Sequence, residues 1–103
     1  MMIKIKQTEI FEKWFDLLKD RKAKQKIAVR LTRLEAGLLG DIKFFGKIGE
    51  IRINYGPGYR IYFLKKGDEV IILLCGGDKS TQKKDIQNAM ELAKEIKNED
   101  HSL

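Results

Sequence analysis

The sequence predicts a small α+β domain with a mainly antiparallel sheet, its elements ordered β-α-α-β-β-β-β-α. Three observations predict it. Apolar residues between Ile10 and Leu38 recur at helical spacing. A Gly-Pro-Gly turn at 56–58 separates two segments whose apolar residues alternate with polar ones. An unbroken aliphatic run, Val70–Cys75, leads through a glycine pair into a last amphipathic segment.

Met2–Lys6 alternates and reads as a short strand. Thr8 is placed to cap a helix whose apolar stripe is Ile10, Phe11, Trp14, Phe15 and Leu18. Asp20 stops that helix and caps the next, which carries Ala23, Ile27, Leu31, Leu34 and Leu38. With almost no loop between them, the two make a helical hairpin. Their outer faces hold Lys19, Arg21, Lys22, Lys24, Lys26, Arg30 and Arg33, which read as solvated basic faces ahead of partner contacts. Gly37 and Gly40 end the second helix, and Ile42–Lys47 is a strand or extended loop. The Gly49–Phe63 hairpin follows, then a turn at Gly67-Asp68. Val70–Cys75 suits a central strand covered on both faces, with Gly76-Gly77 breaking it. Ser80 or Thr81 caps a helix bearing Ile86, Ala89, Met90, Ala93 and Ile96, and Asn98–Leu103 reads as a polar, frayed end.

A length of 103 residues fits one domain spanning 1–103. The net charge of +6 favours a polyanionic partner. Cys75 is the sole cysteine, so no internal disulfide forms, and its apolar setting makes it a buried, inert thiol. Met1–Gln7 has no signal-peptide pattern, and Val70–Cys75 is too short to span a bilayer, so a cytoplasmic location without membrane contact is expected. The one histidine, His101, lies in the tail, so neither a histidine triad nor a metal site is expected. The glycines match no phosphate loop or dinucleotide fingerprint, and no cofactor is implied.

The candidate chemistry lies on the polar face of the Gly49–Phe63 hairpin, which carries Arg52, Asn54, Arg60 and Tyr62. A three-residue loop at 56–58 would set Asn54 opposite Arg60 and Arg52 opposite Tyr62, with facing Cβ atoms about 5 Å apart. Guanidinium groups so close repel unless an anion lies between them. Glu50, on the same face, is the internal candidate, and a phosphate is the external one. Lys79 sits in the bend before the last helix, and Lys83 and Lys84 fall in its first turn, where a bound polyanion would offset their poor fit to the helix dipole. Asp85, one residue on, suits that dipole better. A site without histidine can still cleave RNA, because the ribose 2′-hydroxyl supplies the nucleophile and the protein aligns it and neutralises the phosphate. Arginines suit the second task, and Tyr62 could stack on a base or donate a proton. A lysine crowded by other cations gives up its proton more readily, which makes Lys47 and Lys79 the candidate bases.

The motifs GEIRINYGPGYRIYF (49–63), LLCGGDKSTQKKDIQNAMELAKE (73–95) and the lead-in GDIKFFGKIGE (40–50) resemble the RelE/ParE toxin superfamily of type II toxin–antitoxin systems. The resemblance is closest to its addiction-module killer proteins, near the HigB-like branch, and covers nearly the whole chain. It implies a toxin that cleaves mRNA in the ribosomal decoding site, leaving a 2′,3′-cyclic phosphate and a 5′-hydroxyl. It also implies a cognate antitoxin, a helix-turn-helix protein, and contact with operator DNA only through that complex. By motif, Arg60 matches the arginine of the family's Gly-Tyr-Arg strand. Arg52 falls where RelE has a lysine, and Lys79 near a second functional arginine. Glu50 replaces another RelE lysine, and Asp85 stands near its catalytic tyrosine, which leaves the acid and base open. The catalytic set is therefore Arg52, Arg60, Lys79 and Tyr62, with Lys47, Asn54, Lys83 and Lys84 binding substrate. A ParE-type gyrase-inhibiting toxin and a non-enzymatic nucleic-acid-binding module are the alternatives.

Overall fold

A computed structural model describes the backbone of residues 2–102 and the side chains of residues 2–96, so His101 lies outside the described side chains. The elements are β1 (Lys4–Gln7), α1 (Glu9–Asp16), α2 (Arg21–Glu35), β2 (Ile42–Phe45), β3 (Ile48–Ile53), β4 (Tyr59–Lys66), β5 (Val70–Asp78), a single 3-10 turn (Lys79–Thr81) and α3 (Gln82–Ser102). The order is the one the sequence predicts. One sheet runs β1-β5-β4-β3-β2, antiparallel throughout except where β1 lies parallel to β5.

The helix starts follow local chemistry. Thr8 Oγ1 accepts from the Phe11 amide at 3.1 Å and donates to the Leu74 carbonyl at 2.6 Å, so one hydroxyl caps α1 and ties it to β5. Asp20 accepts from the Lys22 and Ala23 amides and starts α2. At the third helix the cap is Asp78 rather than Ser80 or Thr81. Its carboxylate takes the Ser80 amide and hydroxyl while Thr81 completes the capping box, because the chain first makes a 3-10 turn. No glycine or proline interrupts α3, and it continues to Ser102 where a frayed end is expected.

The sheet is covered on both faces, as the unbroken aliphatic run Val70–Cys75 predicts for its strand. Phe11, Ile27 and Leu34 pack with Ile51, Ile53, Ile61, Phe63, Ile71 and Leu73 beneath α1 and α2. Ile48, Tyr62, Leu64, Ile72, Leu74 and Cys75 pack with Ala89 and Ala93 of α3 on the opposite face. The hairpin face that alternation marks as polar is therefore largely roofed by α3. Its apolar half lies under Ala89 and Ala93, whose small side chains let the helix come close.

Two glycines hold the layers together instead of ending β5. Both Gly76 and Gly77 stay in the strand. A Cβ at Gly76 would overlap the Trp14 ring of α1, and one at Gly77 would overlap the Asp85 carboxylate of α3. A bulge at Leu74, between the pairs Tyr62↔Cys75 and Phe63↔Leu73, puts Leu74 and Cys75 on the same face and aims Gly77 at α3.

Gly76→Ala is expected to cost about 2 kcal/mol in urea unfolding, the usual scale for overfilling a packed core. Gly46, with φ +59° and open space around it, serves as the contrast: Gly46→Ala should cost only about 1 kcal/mol for its backbone conformation. Equal stability of Gly76→Ala and the parent chain would contradict the Trp14 contact.

Candidate phosphate-binding site

The hairpin register differs by two residues from the one expected. Arg52 pairs directly with Arg60, Glu50 with Tyr62, and Ile53 with Tyr59, so the loop runs from Asn54 to Gly58. A shift of two leaves every side chain on its expected face. Its cause is in the loop. Gly58 N donates to the Tyr55 carbonyl and Tyr55 N to the Ile53 carbonyl, which folds Tyr55 into the turn. Tyr55 Oη then donates to Asp20 at 3.0 Å, tying the hairpin tip to the cap of α2.

The direct pairing places two guanidinium groups side by side, and Glu50 lies between them. Its side chain is 0 % exposed. Arg52 Nε donates to Glu50 Oε1 at 2.9 Å, Gln82 Nε2 of α3 donates to Oε2 at 2.8 Å, and Arg60 Nε stands 4.0 Å from Oε1. Glu50 is thus the internal anion, but buried under α3 rather than part of a solvated surface pair. Burial pushes its carboxyl up, and the hydrogen bonds from Arg52 and Gln82 more than reverse that, holding it below the usual value of 4.5. It is ionised at neutral pH.

Arg52 keeps 31 % of its side chain exposed, whereas Arg60 as a residue is only 8 % exposed. Arg60 Nη1 makes a long contact, 3.4 Å, with the Tyr59 carbonyl, and Arg60 Nε is buried without a hydrogen-bond partner. Lys79 joins this pair through Gly58: a Cβ there would touch both Lys79 Cβ and Arg60 Nη1. On the far side of Arg60 its β5 neighbour is Gly77, whose missing side chain leaves room for Asp85, itself bonded by Thr81 Oγ1 at 2.6 Å. Two guanidinium groups and two carboxylates, Glu50 and Asp85, therefore lie at this end of the sheet, with the stem of Lys79 starting beside Arg60.

The other expected site residues separate. Tyr62 is fully buried beneath α3, so stacking on a base is closed to it. Burial, and then the neighbouring Glu50 charge, push its phenol far up, so the proton stays on. Lys47 lies in the β2–β3 turn beside Ile48, Leu64, Met90 and Lys94. Five residues of extended chain, about 17 Å, separate it from Arg52. Lys83 and Lys84 are exposed on α3 beside Ser80 and Thr81. Asn54 is exposed in the loop, alongside Lys26, Arg30 and Arg33 of α2. Arg30 is no solvated cation. Its guanidinium donates to the carbonyls of Arg52 at 2.7 Å, Asp41 at 2.9 Å and Leu39 at 3.2 Å. Cys75 is buried as expected, its thiol pushed up to about 12 by burial with the Asp85 charge adding to it. Gln82 was not legible as a site residue: an amide at a helix start carries no signal until the helix is placed over Glu50.

The chain is a small α+β domain with a cluster of charged side chains at one end of its sheet. The chain belongs to the phage-derived Gp49-like family (DUF891), whose model matches residues 13–98. The family is toxin-like, of the addiction-module type, and membership is compatible with the toxin of a toxin–antitoxin pair that has an antitoxin as partner. The chain is also 50 % identical over 97 residues to an uncharacterized protein of Haemophilus influenzae, covering 93 % of this chain and 98 % of that one. Among the described residues no helix is long and apolar enough to cross a membrane.

Removing the carboxylate is expected to destabilise the fold. Glu50→Gln leaves two arginines without their shared anion and should cost about 3 kcal/mol, the usual cost of breaking a buried pair on one side. Because the folded-state value is lowered, Glu50's contribution is complete above pH 4.5 and disappears as pH falls through that lowered value. Urea unfolding at several pH values should show this acid loss in the parent chain and a shallower one in Glu50→Gln. Identical profiles would contradict the assignment.

Proposed function

We propose that this chain is the toxin of a type II toxin–antitoxin system, of the RelE/HigB kind, and that it inhibits translation by cleaving mRNA on the ribosome. The reading rests on one observation above the others. Arg52 and Arg60 stand opposite each other in register and share one buried carboxylate, and the stem of Lys79 starts near Arg60. A carboxylate that sets the spacing of two guanidinium groups leaves donors free for phosphate oxygens.

In the proposed reaction the 2′-hydroxyl of the nucleotide before the scissile linkage attacks the phosphorus. The bond to the 5′-oxygen breaks, that oxygen takes up a proton, and the products are a 2′,3′-cyclic phosphate and a 5′-hydroxyl. Arg60, rigid and nearly buried, would meet the charge that grows on the non-bridging oxygens, with Arg52 at its side. Lys79, exposed at the mouth, would take the proton of the attacking 2′-hydroxyl and return one to the departing 5′-oxygen. Tyr62 would act from below by packing against Glu50. A cognate antitoxin of the helix-turn-helix type would cover the site and carry the complex to operator DNA.

Induced expression with primer extension on cellular mRNA tests the reading. Arg60→Ala should abolish growth arrest and transcript cleavage, lowering the rate by about 10²-fold or more. Glu50 keeps its bonds from Arg52 and Gln82 in that variant, so the fold should persist, which circular dichroism checks. Lys79→Ala, a surface change, should weaken cleavage without altering stability. Undiminished arrest by both variants, or intact transcripts with accumulated gyrase–DNA breaks in the parent, would overturn it.

A further inference from the structure

β2 pairs with β3 only as far as Ile42↔Ile51, and past that point one more bond, Arg52 N to the Asp41 carbonyl, closes the ladder. Among the described residues the outer edge of β3 past Ile51 has no strand neighbour, and there Asp41 and Arg30 bond the Arg52 backbone. A groove of about 430 Å³ lies between this edge and α2, and it is basic. Lys26, Arg30, Arg33 and Arg52 border it against one carboxylate, Asp41. Arg30 spends its donors on the carbonyls of Leu39, Asp41 and Arg52 and fixes the shape of the groove. Lys26 and Arg33 keep ammonium and guanidinium donors toward solvent, Lys26 resting over the Tyr55 ring at 5.2 Å. Such a spread of charge would suit a second anion close to the first.

We propose that this groove binds the sugar–phosphate backbone of single-stranded RNA next to the linkage held by Arg52, Arg60 and Lys79. Arg52 borders both places, so a strand leaving the phosphate site passes around this edge of β3 and into the groove. Asn54, exposed at that corner, offers an amide donor and acceptor to a ribose or base edge. Lys26 and Arg33 take the following phosphates, fixing register without reading sequence. Four cations against one carboxylate, with Val29 and Ile53 the apolar residues at the border, favour a run of phosphates over an acidic protein segment. The inference rests on the ribonuclease reading for the direction of the strand, but binding in the groove can be measured without cleavage.

The probe is a short single-stranded RNA of mixed sequence with every 2′-hydroxyl methylated, so that it cannot be cut. Its affinity for the purified chain is measured across a salt series. The double variant Lys26→Gln, Arg33→Gln should bind about tenfold more weakly at moderate salt, with a log–log salt slope smaller by about 1.4, at 0.7 per phosphate contact on a single strand. A charge-matched control, Lys4→Gln, Lys6→Gln, changes the opposite edge of the sheet and should bind as the parent does. Equal losses in the two variants would reduce the effect to net charge and overturn the proposal. Parent-like RNA binding by the groove variant would also overturn it, as would weakened binding of an acidic peptide alone; if Arg60→Ala still abolished transcript cleavage, the ribonuclease reading would stand. A groove variant that loses RNA affinity, in a chain that arrests growth with intact transcripts, would keep the groove and sink the ribonuclease reading.

Discussion

A carboxylate with no solvent exposure organises this end of the molecule. Glu50 takes hydrogen bonds from a strand arginine and from a helix amide, and stands near a second arginine. Without it the direct pairing of Arg52 and Arg60 would set like charges about 5 Å apart at their Cβ atoms. Without Gln82, one of its oxygens would lose its bond to α3 where the helix crosses the sheet. The same group thus holds the arginines apart, fixes the start of α3 and gives the surface above a defined charge. Buried ion pairs are weak sources of net stability, since desolvation offsets most of the attraction. Their better-attested use is to fix one arrangement, and the arrangement here is two guanidinium groups at one end of a sheet.

Much of the fold can be read from the residues. The caps at Thr8 and Asp20, the hairpin, the buried run of β5 and most of the two helical stripes arise from local periodicity and side-chain chemistry; Leu38, expected on the second stripe, lies exposed past the end of α2, and Ile10 of the first is half exposed. What escaped depends on contacts between distant residues. Alternation along β3 and β4 says which side chains share a face but not what covers that face. α3 covers it because Ala89, Ala93 and Gly77 let a helix come close; all three stand out in the sequence, but not the face they pack against. The hairpin register was out of reach for a similar reason: the Gly-Pro-Gly triplet suggests a tight loop, while Tyr55 is pulled into the turn by Asp20, a residue far earlier in the chain.

The same divide separates the site residues. Arg52 and Arg60 come together through strand pairing, and the turn after β5 starts Lys79 near Arg60. Tyr62 and Lys47 do not. Tyr62 alternates onto the right face and then disappears under the helix, and Lys47 sits at the opposite end of β3. Asn54 and the α2 cations fall into a neighbouring groove instead. Membership in a phage-derived, toxin-like family agrees with a compact anion-binding surface that a partner can mask. On that view one rigid scaffold holds the reacting phosphate and the adjoining backbone on two sides of a single strand edge.

The most direct test of the central claim is a side-chain NMR titration of the nitrogen-labelled protein with a nucleoside 2′,3′-cyclic phosphate, the product of the proposed reaction. The account predicts that the Arg52, Arg60 and Lys79 side-chain signals move together along one binding curve, while those of Lys47 stay still. Independent curves for the three groups, or no response at Arg60, would contradict it.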